Sequence, residues 1–165
     1  MKKFILLLTV FLLCLIILGS LASCSSQKND LIKNITNSIN ENATGDISEN
    51  WKYEITKFQI SKNGSFIYHV ITSNPKSEDK KNYDEYTTNL KYLDPSSLKN
   101  NYSTLALSCE GNKNCIELHY KRELSNMNEF ITNKQNIMFL SFASASATDK
   151  ENIEKQFEQL ITLYK

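Results

Sequence analysis

Arginine occurs once in these 165 residues, at Arg122, tryptophan once, at Trp51, and histidine twice, at His69 and His119. Glycine (4) and proline (2) are scarce too. Each shortage removes a class of function. The four glycines are scattered, so no glycine-rich cradle for phosphate can be built. No H-E-x-x-H and no C-x-x-C occurs, and two lone imidazoles do not make a zinc site. No G-x-S-x-G turn presents a nucleophile. We therefore expect no metal, no cofactor and no catalytic residue, with His69 and His119 structural or exposed. Nineteen basic against 18 acidic residues leave the chain near neutral. Such a balance carries no electrostatic footprint for nucleic acid and, by its total, no basic surface for anionic lipid.

What is present begins with Lys2 and Lys3, followed by Phe4 to Leu18 without a charge. A basic start, an apolar core and the small residues ending in Leu21-Ala22-Ser23-Cys24 form an export signal. Read from its residues alone, the segment has several outcomes. It could stay as a membrane anchor, since Phe4 to Ala22 is nearly long enough to span. It could be cut after Ala22 as an ordinary signal, or end on a coincidental cysteine. The last four residues, however, match the lipobox, and the segment closely resembles the signal peptide of bacterial lipoproteins. That resemblance implies removal of residues 1–23 and acyl chains on the sulfur and new amino end of Cys24. It implies a place in the cell envelope, lipid-anchored to a bacterial membrane on its periplasmic or surface side.

Cysteine arithmetic points the same way. Once Cys14 leaves with the signal, Cys24, Cys109 and Cys115 remain, an odd number for an exported chain. Lipidation of Cys24 leaves Cys109 and Cys115 as a pair. Export permits their oxidation to a disulfide.

Residues 24–29 are polar and read as a lipidated tether, and 30–165 as one β-rich domain. Asn29 or Asp30 could cap a helix whose Leu31, Ile32, Ile35 and Ile39 share a face. Asn40 to Trp51 shadows a calcium loop, but Trp51 stands where a bidentate Glu is needed and carboxylates are few, so a glycine-containing turn is expected. From Trp51 the pattern is β. Tyr53 and Ile55 differ in parity from Phe58 and Ile60, which predicts a bulge. Asn63-Gly64 predicts a hairpin, and its return strand, Ser65 to Thr72, is apolar enough to be central. Lys76 to Asp84 reads as a solvated loop. Tyr86, Thr88, Leu90 and Tyr92 alternate as a strand, and Asp94-Pro95 starts a capped turn.

Thr104 to Cys109 and Cys115 to Tyr120 read as a hairpin closed by the cysteine pair. Its two apolar faces have conflicting parity, so a bulge beside one cysteine is expected. A short strand at Glu129 to Thr132 and a clear one at Asn136 to Phe142 follow. Small residues run from Ala143 to Ala147. Thr148-Asp149-Lys150-Glu151 is a capping box for a helix over 149–164 with one apolar stripe, Ile153, Phe157, Leu160, Ile161 and Tyr164.

The fold expected is α+β: an antiparallel barrel or sandwich of six or seven strands closed by that helix. The order of elements is similar to a pleckstrin-homology-like barrel and to small bacterial domains with that plan. Such barrels serve as scaffolds for many partners, so the plan names no function. Tyrosines in or beside strands (Tyr53, Tyr68, Tyr86, Tyr92 and Tyr120) offer either a contact surface or the edge of the core, and we expect the core edge. The function expected is a non-catalytic envelope binding module for a protein or glycan partner. The alternatives are an inhibitor or immunity protein against an envelope hydrolase, or an enzyme using His69 or His119.

Overall fold

The computed structural model describes residues 25–165 except 49, 75, 77–79, 102–103, 126 and 143–144. The export segment, Cys24, Ala143 and Ser144 lie outside the described residues. Helix α1 runs over 25–41. It is helical well before the expected Asn29 or Asp30 cap, so the polar residues 25–29, read as a tether, belong to the helix. Leu31, Ile35 and Ile39 are buried, as their three- and four-residue spacing requires. No described helix is long and apolar enough to cross a membrane.

Among the described residues nine strands follow, rather than the six or seven expected. The larger sheet is antiparallel and ordered β1-β2-β3-β4-β7-β8, and the smaller is β5-β6-β9. The larger sheet is open, with β1 and β8 each paired on one side only, so it is not the closed barrel expected. β1 (Thr44–Ser48) occupies part of the stretch read as a turn and pairs with β2 (Trp51–Ile60). In β2 the register shifts between Ile55 and Lys57, and that bulge lets Tyr53, Ile55, Phe58 and Ile60 all face the core. Gly64 closes the hairpin to β3 (Ser65–Ser73) at φ +82°, in the left-handed region that glycine occupies without strain. A Cβ there would stand 2.9 Å from the ring of Tyr164. β3 is central, between β2 and β4.

β4 (Lys81–Asn89) begins inside the stretch read as a loop and stops earlier than the alternation suggests. Leu90–Tyr92 turn as a 3-10 helix, because the Asn89 side chain accepts from the Lys91 N–H and caps it. Pro95–Ser97 form a second such turn, capped as expected by the Asp94 side chain. The chain then crosses to the smaller sheet through β5 (Lys99–Asn101) and β6 (Thr104–Ser108).

The expected hairpin across the cysteines does not exist. β6 pairs with β5 and β9, whereas β7 (Ile116–Arg122) pairs with β4 and β8. Between them, Gly111 (φ +62°) and Asn112 (φ +54°) turn the chain from one sheet to the other. Cys109 and Cys115 are joined in a disulfide, their Cα atoms 5.8 Å apart. The conflict of parity is resolved because the two strands never face each other. Leu105 and Leu107 meet Leu140 and Met138 of β9 instead.

β8 (Met127–Gln135) is twice the strand anticipated, and β9 (Ile137–Ser141) is the clear one. Helix α2 (Ala147–Leu163) is capped by Ser146, whose hydroxyl accepts from the Asp149 N–H at 3.1 Å, two residues ahead of the expected box. Its stripe of Ile153, Phe157, Leu160 and Ile161 is buried. The ring of Phe157 meets Phe58 and Phe66 edge-on, at 6.3 and 6.4 Å. Both helices and both sheets contribute to one apolar core.

Candidate functional site

The solvent face of the larger sheet gathers the chain's unusual side chains. In β4, alternation sends Tyr83, Glu85 and Thr87 outward and Asp84 and Tyr86 inward. In β7, Ile116 and Leu118 are buried, which leaves Glu117, His119 and Lys121 outside. Strand register then aligns His69, Glu85 and His119 in one row across β3, β4 and β7. Both histidines therefore share a face, with a carboxylate between them.

His69 Nδ1 lies 2.7 Å from Thr56 Oγ1, and a hydroxyl, an imidazole and Glu85 on neighbouring strands superficially suggest a triad. A triad also needs donors aimed at a developing oxyanion. Here His69, Glu85 and His119 lie in regular strand pairing, whereas Thr56 falls at the β2 bulge and has no partner in that register. A cleft of about 340 Å³ lies away from this row, lined by Asp46, Lys52, Glu54 and Lys81 among others. Among the described residues no group of three His, Cys, Asp or Glu is arranged to hold a metal ion. Cys109 and Cys115, being oxidised, are no nucleophiles.

Beside His119 the face becomes aromatic. Phe130 of β8 is 55 % exposed, with its ring 4.7 Å from the His119 ring and 6.3 Å from that of Tyr83. His119 pairs with Thr132 and Tyr120 with Ile131, so strand alternation puts Phe130 on the outer face with Thr132, and the register shifts only beyond it, where Arg122 pairs with Met127. Lys121 Nζ lies 5.8 and 5.9 Å from the centres of the Tyr83 and Phe130 rings. It is held by Glu123, whose Oε1 is 2.5 Å away. Hydrogen bonds from the Lys121 ammonium and the Lys81 N–H keep the Glu123 carboxyl below its ordinary range. A tethered cation thus sits beside two rings, one of them largely exposed, on the outer face of the sheet.

The inner face of the same strands holds an ion pair. Asp84 and Arg122 meet at 2.6 Å, and Arg122 lies 4.7 Å above the Tyr120 ring while donating to the Tyr83 carbonyl. Burial raises the proton affinity of Asp84 more than Arg122 lowers it. Next to it, Tyr68 stacks on Tyr86 at 5.9 Å and accepts a hydrogen bond from the Ser141 N–H of the other sheet at 3.0 Å. Burial pushes the Tyr68 phenol up to about 12 and that of Tyr86 up as well. The Tyr68–Ser141 hydrogen bond ties the larger sheet to the smaller.

The tyrosines thus divide. Tyr53 and Tyr68 are core, Tyr86 borders it, and Tyr92 is 51 % exposed at the opposite end of β4 from Tyr83. The exposed cluster rests on Tyr83 and Phe130, which sequence reasoning missed. The alternation Tyr83-Glu85-Thr87 was a signal available for the first, but the surrounding charges disguised it as loop. The exposure of Phe130 follows from the register of β8 on β7, which no local signal reveals. Compared with family models, with curated proteins and with solved structures, the chain finds no match in any of the three.

Proposed function

We propose that this chain is a non-catalytic binding module of a bacterial envelope, held to a membrane by lipid on Cys24 and engaging a protein or glycan partner through Tyr83, His119, Lys121 and Phe130. The observation that carries the reading is Phe130, a large ring left mostly in water beside two other rings and a positioned ammonium. Aromatic rings with a polar edge are what both protein interfaces and sugar faces select. The antiparallel strands followed by a closing helix fit the pleckstrin-homology-like scaffold plan, and we keep that plan as part of the proposal. The sheets bury their inner faces in a shared, sandwich-like core, leaving the outer face for contact.

The test compares envelope material retained by the wild-type protein and by the Y83A/F130A variant. Loss of the retained partner by about tenfold or more is expected, since an interfacial aromatic anchor contributes roughly 2 kcal/mol. Equal retention by both proteins overturns the assignment of this face. The inhibitor reading has one observation of its own: the β1–β2 hairpin ends on exposed Ile47 and Trp51. Retention lost in W51A but kept in Y83A/F130A would favour it. Lipidation is tested separately, by the mass of the Cys24 peptide and by release of a C24A chain from membranes.

A further inference from the structure

Segments far apart in sequence meet at one end of this domain. The first turn of α1 is there, with Lys28 Nζ 4.3 Å above the ring of Tyr164. The Tyr164 hydroxyl donates to the carbonyls of Ser61 and Lys62 in the β2–β3 turn, at 3.2 and 3.0 Å. The Gly64 carbonyl of that turn accepts from the Leu90 N–H at 2.8 Å, which brings in Tyr92 with Lys91 Nζ 4.8 Å over its ring. Lys165 reaches Glu110 at 2.6 Å.

Trp51 marks the opposite end. The ten residues of β2 separate it from the Ser61 turn, roughly 33 Å at strand rise. The last turn of α1 likewise ends at β2's far half, where Tyr53 donates to the Asn42 carbonyl at 2.9 Å. The Tyr83–Phe130 cluster also belongs to this half, since Lys81 pairs with Ser73 and Asn89 with Ser65.

Helix α1 is already helical at residue 25, the neighbour of Cys24 in the sequence. A single residue reaches about 3.5 Å, so whatever holds Cys24 in a bilayer brings this end of the domain against it. The end is chemically suited to that position. Lys28, Lys62, Lys91, Lys113 and Lys165 outnumber Asp30, Asp94 and Glu110 there, and two of the ammoniums lie over phenol rings. Tyrosine at headgroup depth, with lysine reaching phosphate, is the usual composition of a membrane interface.

We infer that this lysine–tyrosine end is the membrane-facing surface of the domain, docked on anionic headgroups, and that it holds Trp51 and the Phe130 cluster outward. The inference rests on the membrane attachment proposed above. It replaces a free tether with a defined orientation. The aromatic contact face then stands along and above the bilayer, accessible to a partner in the envelope space.

Trp51 is the only tryptophan, which makes orientation measurable. The full-length protein, processed in bacteria and purified from their membranes, is reconstituted into phosphatidylcholine–phosphatidylglycerol vesicles with brominated acyl chains. Co-flotation with the vesicles reads attachment, and tryptophan quenching reads orientation. The expected result is no quenching of Trp51, and loss of roughly half the emission in the W51F/Y92W variant, whose indole replaces an interfacial ring. Adding K28E/K91E to that variant should reduce its quenching several-fold. Quenching of Trp51 with none in W51F/Y92W means the domain sits the other way up, and quenching of neither means it swings free. Either result, in vesicles that carry the protein, overturns the inference and leaves attachment standing. Quenching that is indifferent to K28E/K91E overturns docking on anionic headgroups. Protein absent from the floated vesicles overturns both readings together.

Discussion

Truncating Phe157 to alanine would test whether α2 is docked as described. Its side chain is fully buried, edge-on to Phe58 and Phe66, which are themselves 5.4 Å apart. Removing the ring forfeits its transfer free energy, about 2–3 kcal/mol, and leaves a cavity that neighbours on two strands and a helix can only partly close. The two terms together come to about 4 kcal/mol, within the range for buried Phe→Ala changes. A domain of this size has a total stability of roughly 5–15 kcal/mol, so F157A should remain folded but marginal. Its melting temperature should fall by about 12 °C, at roughly 3 °C per kcal/mol. Urea unfolding followed by circular dichroism gives the free energy directly, and the slope against denaturant should stay unchanged. E158A, one residue along on the exposed face, is the control and should stay within about 0.5 kcal/mol. A loss below about 1 kcal/mol in F157A would refute the packing of α2 on the larger sheet.

Two further outcomes follow from the contacts between the sheets. Tyr68 holds its proton up to about pH 12 when folded but titrates near 10.0 when unfolded. The folded state therefore binds more protons in that window, and stability should fall by roughly 2–3 kcal/mol as pH rises through it. Y68F should abolish that part of the loss, at the expense of about 1–3 kcal/mol at neutral pH from the unpaired Ser141 N–H. Identical alkaline behaviour in both proteins would rule Tyr68 out as the cause. The Cys109–Cys115 bridge closes a short loop, so chain entropy makes it worth about 2 kcal/mol. C109S/C115S should lower the free energy of unfolding in urea by that amount, and two free thiols by intact mass under non-reducing conditions would exclude the bridge.

Several elements of this protein are local consequences of its residues. The parity change in β2 foretells its bulge, Asn63-Gly64 foretells the hairpin with Gly64 at positive φ, and Asp94 caps the turn that follows it. The stripe from Ile153 to Ile161 specifies α2 and the face it buries. Each depends on side chains within one or two turns of each other, where periodicity and capping act without the rest of the chain. The larger arrangement does not. Tyr86, Thr88, Leu90 and Tyr92 keep strand alternation across a point where the chain turns as a 3-10 helix, because both geometries can leave Leu90 buried. Thr104 to Cys109 and Cys115 to Tyr120 resemble two arms of a hairpin, yet each pairs with a strand distant in sequence, where its apolar face finds a better match. The row of His69, Glu85 and His119 and the exposure of Phe130 arise from register among β3, β4, β7 and β8. Alternation along a strand says which residues share a face but not which strand lies beside it. That choice comes from non-local burial, so the outer-face cluster of Tyr83, His119, Lys121 and Phe130 belongs to the tertiary structure alone.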